Sequence, residues 1–243
     1  MQPTDRIFFI DTETAGIKMP ACEIGIIETD HQLNIVAEWQ HELDPEVPIK
    51  ASASAVHGMR NADLADKPTL AQWSMMTPNP MLYSGAVAPW IVAHKARFDL
   101  EVLATEVPAD HRACCTLKIA RKLYPGLAEQ GENHQLQTLC YMFDLFSIEP
   151  LKGFVGEAHR VKFDIRCTIA FMKYVMQAHG LSIDEVLELG NTPYSADQPM
   201  WFGKHVGTPL RDVMRDTGYI RWCLGAKDMD PDFLEALAPL RRV

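Results

Sequence analysis

The 243-residue sequence predicts an α/β domain over residues 1–190, a linker at 191–200 and a small C-terminal unit at 201–243. Three observations carry that prediction. Three strand-like apolar runs crowd into the first 43 residues with short links between them. A fourth apolar piece, Trp90-Ile91-Val92-Ala93, leads directly into a helix-like stretch. A long 3.6-residue pattern, with Ile165, Ile169, Met172 and Met176 on one face, then runs from about Lys162 to Ala178.

In order, residues 6–11 read as a buried strand. Residues 22–29 and 33–43 read as two more, joined at Asp30-His31-Gln32, and the short links favour an antiparallel meander. Residues 51–57 and 69–76 are candidate short helices, broken off by Pro78-Asn79-Pro80. After the 90–93 strand come a helix at 97–106, a short strand at 112–116 and a helix at 117–124 ended by Pro125-Gly126. A helix around 134–145 and a loop containing Gly153 and Gly156 precede the long helix, which Gly180 stops. The segment from Asn191 to Met200 is turn-rich, and the unit beyond it is too small to bury much core alone.

Composition narrows the function. Apolar residues make up 47% of the chain, enough for a real core, and no apolar run approaches the roughly 20 residues that span a bilayer. The first residues lack the basic segment and apolar core of a signal peptide, so the expectation is a soluble, cytoplasmic protein. Six scattered cysteines without a Cys-x-x-Cys argue for buried thiols rather than zinc or disulfides. A formal net charge of −9 counts against a protein that coats duplex DNA but leaves room for an enzyme holding a few nucleotides in one cleft.

The chemistry begins at Phe8-Phe9-Ile10-Asp11-Thr12-Glu13-Thr14. Residues i and i+2 of a strand share a face, so Asp11 and Glu13 bring like charges together unless a cation sits between them. A lone Asp-x-Glu is more often a solvated strand end. Asp99 follows the 90–93 strand within a turn or two, near a strand carboxyl end where α/β ligand sites gather; alone, it reads as an early-helix residue stabilised by the dipole. His159 and Asp164 would lie about 140° apart on one continuous helix. They converge if His159 sits on the glycine-containing loop and Asp164 one turn into the helix, where Thr168 is its i+4 neighbour. Taken together, four carboxylates suit two hard divalent cations, Mg²⁺ or Mn²⁺, and a histidine titrating near neutrality suits proton abstraction from water.

Phe9-Ile10-Asp11-Thr12-Glu13-Thr14, His94-x-Ala96-x-Phe98-Asp99 and His159-x4-Asp164 resemble, in order, the three motifs of the DEDDh 3′–5′ exonucleases. Cys22-Glu23-Ile24-Gly25, Val56-His57-Gly58-Met59, the run from Cys115 to Gly126 and the tail segments Phe202-Gly203-Lys204 and Tyr219-Ile220-Arg221-Trp222 extend the likeness to nearly the whole chain. The resemblance implies an RNase H-like fold with a mixed central sheet flanked by helices. It further implies two Mg²⁺ (or Mn²⁺) held by Asp11, Glu13, Asp99 and Asp164, with His159 as general base. Thr12, Thr14, Gly16, His57, His94, Lys95 and Phe98 would line the nucleic acid. The implied partner is a DNA 3′ end, preferably single-stranded, with repair or recombination proteins as further candidates and no membrane.

One position departs from the pattern: Lys95 stands where the second motif usually has Asn. In the tail, Trp201, Phe202 and Trp222 are either stacking platforms beside Lys204 and Arg221 or the core of the small unit. The glycines at 203 and 207 are expected in a hairpin turn, with Thr208 capping the helix that starts at Pro209. Alternatives that stay open are an RNA 3′-end trimming enzyme, a polymerase proofreading subunit and a non-catalytic nucleic-acid-binding protein.

Overall fold

A computed structural model describes residues 6–76, 79–83, 88–226 and 229–238. Five strands form one sheet: β1 (Ile7–Thr14), β2 (Ala21–Thr29), β3 (Ile35–Glu42), β4 (Trp90–Ala93) and β5 (Arg112–Cys115). Their order is β3-β2-β1-β4-β5. The predicted meander is present, with β1–β2 and β2–β3 antiparallel, whereas β4 pairs in parallel with both β1 and β5. The sheet is therefore mixed, and β1 is the strand where its direction of pairing changes.

Helices of seven or more residues are α1 (Ala51–His57), α2 (Leu70–Met76), α3 (Ala96–Leu103), α4 (Thr116–Leu123), α5 (Leu136–Met142), α6 (Val161–His179), α7 (Ile183–Asn191), α8 (Thr217–Gly225) and α9 (Pro231–Leu237). They cover both faces of the sheet. Odd-numbered Ile7, Phe9 and Ile27 pack with Ile165, Ile169 and Met172 of α6, while even-numbered Phe8, Ile10, Ile24 and Ile26 pack with Trp73 of α2 and Leu103 of α3. This is the two-residue strand period expressed as two cores.

Gly25 sets how closely α6 approaches. A Cβ built there would lie 2.7 Å from Val161 Cβ and 2.9 Å from Ile165 Cδ1, so only a residue without a side chain lets the helix sit this near the strand. Gly180 ends the same helix in the left-handed conformation, its N–H donating to Met176 O.

Three expectations need correction. β1 runs on through Thr14 rather than ending at residue 11, because its β2 pairing continues to Thr14↔Ala21, so Asp11 and Glu13 lie inside the strand. The sequence reading had no element at 183–191, where α7 forms. Ser182 Oγ accepts from Glu185 N and the Glu185 carboxylate accepts from Ser182 N, a reciprocal cap that the Ser-x-x-Glu spacing announces. Thr208 is not a cap: Pro209 takes that position with no side-chain cap bond, although the hairpin is present as Met200 N→Thr208 O and Gly207 N→Met200 O.

The tail has its own core of Trp201, Leu210, Val213, Tyr219, Phe233 and Leu237, with Tyr194 and Met200 of the turn-rich stretch packed into it. Trp201 and Phe202 are spent here, whereas Trp222 is 59% exposed. Ion pairs of Arg97 with Asp232 and Glu235, and of Arg121 with Asp230, fasten this unit to α3 and α4. All six cysteines are buried free thiols. Among the described residues, no helix is long and apolar enough to cross a membrane.

Candidate active site

The site forms where β1 outruns β4. Pairing with β4 covers only Ile7 to Phe9, so the β1 backbone beyond it lacks a strand neighbour on that side. Asp99, in the first turn of α3 and only 2% exposed, fills the gap: its Oδ1 accepts from Thr12 N at 3.0 Å and from Thr12 Oγ1 at 2.8 Å. On the opposite edge, Asp11 pairs with Gly25 and Glu13 with Glu23, which places three carboxylates on the face covered by α6. Asp164 hangs from the first turn of α6. Its Oδ1 accepts from Gln137 Nε2 at 2.6 Å and its Oδ2 from His159 N at 3.1 Å.

His159 occupies the loop, as the convergence argument required, at φ +62 and exposed. One ligand atom each from Glu13, His159 and Asp164 lies within 4.8 Å of the other two. Asp11, Glu13, Asp99, His159 and Asp164, separated by up to 153 positions, thus meet at the carboxyl end of the central strand.

Electrostatics make this cluster costly by itself. Burial, followed by the charges of Asp99, Asp164, Glu13 and Glu23, pushes Asp11 well above the usual carboxylate range. Burial and then Asp164, Glu23 and Asp99 push Glu13 up to about 8, against a counter-pull from Arg160. Burial raises Asp99 to about 7 despite the two Thr12 hydrogen bonds, and Asp164 to about 6 despite its bonds from His159 and Gln137. Asp11 Oδ2 is buried without a hydrogen-bond partner among the described residues. A buried, unpartnered carboxylate oxygen amid three more acids is what a hard divalent cation relieves, so the donor set fits such ions.

The other expected residues divide. Thr12 and Thr14 turn their hydroxyls inward, to Asp99 and to Gly16 O. His94 commits both ring nitrogens, Nδ1 to Thr116 Oγ1 and Nε2 to the His134 carbonyl, each at 3.0 Å; burial pushes it down to about 4, so it stays neutral. His57 is buried and accepts from Met59 N through Nδ1. Gly16, with φ +154, packs against Met19 and Lys50. Lys95 is exposed at φ +74, ψ 45, with its ammonium 5.9 Å from the partly buried Phe98 ring. That left-handed conformation is one Asn enters more cheaply than Lys, so Lys at this position carries a conformational cost.

Three residues had no role in the sequence reading. Gln137 holds Asp164. Glu23, fully buried on β2, accepts from Arg160 Nε at 3.1 Å and Nη2 at 2.7 Å. Glu23 had a signal: a charge inside Cys-Glu-Ile-Gly-Ile-Ile must find a counter-charge to be buried. Gln137 had none, since helical spacing does not say what an amide faces.

A mixed sheet sandwiched by helices, with acids gathered at the end of its central strand, defines a nuclease of the RNase H-like exonuclease fold. Residues 8–172 match the RNase T exonuclease family model, and the chain belongs to that family. It is 32% identical over 225 residues to exodeoxyribonuclease 10 of Escherichia coli, covering 92% of this chain and 93% of that one. It is 27% identical over 178 residues to DNA polymerase III subunit epsilon of Treponema pallidum, covering 70% and 75%. Among solved structures, exonuclease X in complex with 5′ overhanging duplex DNA matches with a TM-score of 0.59 at 28% identity, over 76% of this chain and 99% of that one. A zinc-bound E. coli ExoI–ssDNA complex shares the fold at 19% identity and a TM-score of 0.59, over 74% of this chain and 42% of its own.

Proposed function

We propose that this exonuclease is a divalent-metal-dependent 3′–5′ exodeoxyribonuclease that releases nucleoside 5′-monophosphates and serves DNA repair in the cytoplasm. The observation that carries the reading is the convergence of Asp11, Glu13, Asp99 and Asp164 around an unpartnered Asp11 oxygen, with His159 alongside. DNA as substrate is supported by exodeoxyribonuclease 10, similar over 92% of the chain.

Asp11, Glu13, Asp99 and Asp164 are the residues that would hold two Mg²⁺ or Mn²⁺ ions. Bound there, such ions supply charge neutralisation for the attacking and leaving oxygens of an in-line phosphoryl displacement. His159, on its exposed loop, takes the proton from the attacking water as the oxygen–phosphorus bond forms. The bond from phosphorus to the 3′ oxygen breaks on the opposite side and that oxygen takes a proton from solvent, leaving a shortened strand with a 3′ hydroxyl. Thr12 and Gln137 keep Asp99 and Asp164 aimed at the cluster. Lys95, exposed beside Asp99, meets the nucleic-acid backbone; Thr14, Gly16, His57 and Phe98 border the 3′-terminal nucleotide, with His94 supporting from behind. Single-stranded ends are the preferred substrate. Residues 1–190 form the exonuclease domain, with 191–200 joining it to a C-terminal unit at 201–243.

The test presents 3′-labelled DNA and the matching RNA with Mg²⁺ to the purified protein. Labelled mononucleotide released first from DNA, and abolished by EDTA and by Asp11→Ala, is the expected result. Faster release from RNA would transfer the reading to RNA trimming, and no release from either polymer would remove the catalytic reading.

A further inference from the structure

The segment bearing His159 has few internal supports. Residues 155–159 are all exposed, Val155 at 95%. Among the described residues, the one hydrogen bond made by a backbone N–H of residues 155–159 is His159 N→Asp164 Oδ2. The next residue, Arg160, is fixed far more firmly. It is the N-cap of α6, and its planar fork grips both oxygens of the fully buried Glu23 while Nη2 also meets Glu42 at 3.2 Å. Glu23 is further held by Gln40 Nε2 and by Val161 N. The first firm point after the exposed histidine is therefore a guanidinium bolted to β2.

Resting on the reading of His159 as base, we propose that Arg160 and Glu23 are positioning residues that hold His159 over the acid cluster, and that the bidentate fork of Arg160, not its charge alone, is what they supply. A single-point ammonium leaves rotation about the contact free, whereas two parallel hydrogen bonds remove it. A base displaced by about 1 Å loses much of its effectiveness.

The experiment compares wild type, Arg160→Lys, His159→Ala and the double variant on a DNA 3′ end. Arg160→Lys should lower kcat ~10–100-fold, leave KM within about threefold and leave calorimetric Mn²⁺ affinity unchanged. Added to His159→Ala it should cost nothing further, because its effect passes through the missing imidazole. Hydrogen exchange of amides 155–159 should quicken in Arg160→Lys, a readout independent of turnover. Equal losses from Arg160→Lys with and without His159, weakened Mn²⁺ binding, or unchanged exchange would overturn the proposal. An inactive wild type would defeat the functional reading instead, and the exchange result would still decide whether Arg160 holds the segment.

Discussion

Thr12 gives Asp99 two hydrogen bonds at once, one from its backbone N–H and one from its hydroxyl, both to Oδ1. Strand β1 and helix α3 are thereby locked together at the residue between Asp11 and Glu13. Thr12→Val keeps the β-branched shape suited to a strand and removes only the 2.8 Å hydroxyl bond. We expect Mn²⁺ affinity to weaken about 10–100-fold by titration calorimetry, the usual cost of losing an outer support of a metal ligand. Unaltered affinity would show that the backbone N–H alone fixes Asp99.

His159 sits among the acids without being buried with them. His159→Ala should cut turnover ~10²–10⁴-fold in steady-state assays while Mn²⁺ binding persists. Turnover at the wild-type level would take His159 out of the reaction.

The metal-free protein should lose stability as pH rises. Glu13 near 8, Asp99 near 7 and Asp164 near 6 all lie above their ordinary values, so the folded chain holds more protons than the unfolded one between about pH 4 and 8. The contribution is intact at the acid end of that window and is lost as each folded value is passed. In EDTA, Tm should fall from pH 5 to pH 8; added Mg²⁺ should raise it more at pH 8, where fewer protons compete. Calorimetric scans at both pH values check this, and an Mg²⁺ effect independent of pH would contradict it.

Phe233 is fully buried in the tail and meets both Trp201 and Phe202 edge-on. Phe233→Ala should cost about 3–5 kcal/mol of tail stability. Since the tail core is separate from the two sheet cores, rapid trypsin cleavage should be confined to residues beyond about 200, read by mass spectrometry. Cleavage spread over the whole chain would mean that the two parts unfold as one.

Short-range signals carried much of this structure. Residues 51–57 and 90–93 form the expected elements because apolar pattern and flanking breakers agree there. The acids at 11, 13, 99 and 164 were legible through their order along the chain. β1 was read too short because its carboxylates look like a strand end, and only pairing with β2 keeps them in the ladder. The grip of Arg160 on Glu23 joins residues 137 positions apart, a distance no local period encodes. His94 and Thr12 looked like substrate contacts, but hydrogen bonds to distant partners turn them inward.

The absent methyl at Gly25 works as a gauge block for the acid cluster. Gly25 pairs directly with Asp11, and the helix it admits carries Asp164, so one backbone position calibrates the gap between acids 153 positions apart in the chain. An alanine there would need roughly 1 Å of recoil by Val161 to restore ordinary contact. Gly25→Ala should therefore disable turnover ~10²-fold by widening the jaws of the cluster, measurable as a rise in the Mn²⁺ concentration needed for half activity. The spacing of the acid cluster is thus set by a residue with no side chain to ionise, through nothing more than the volume it declines to fill.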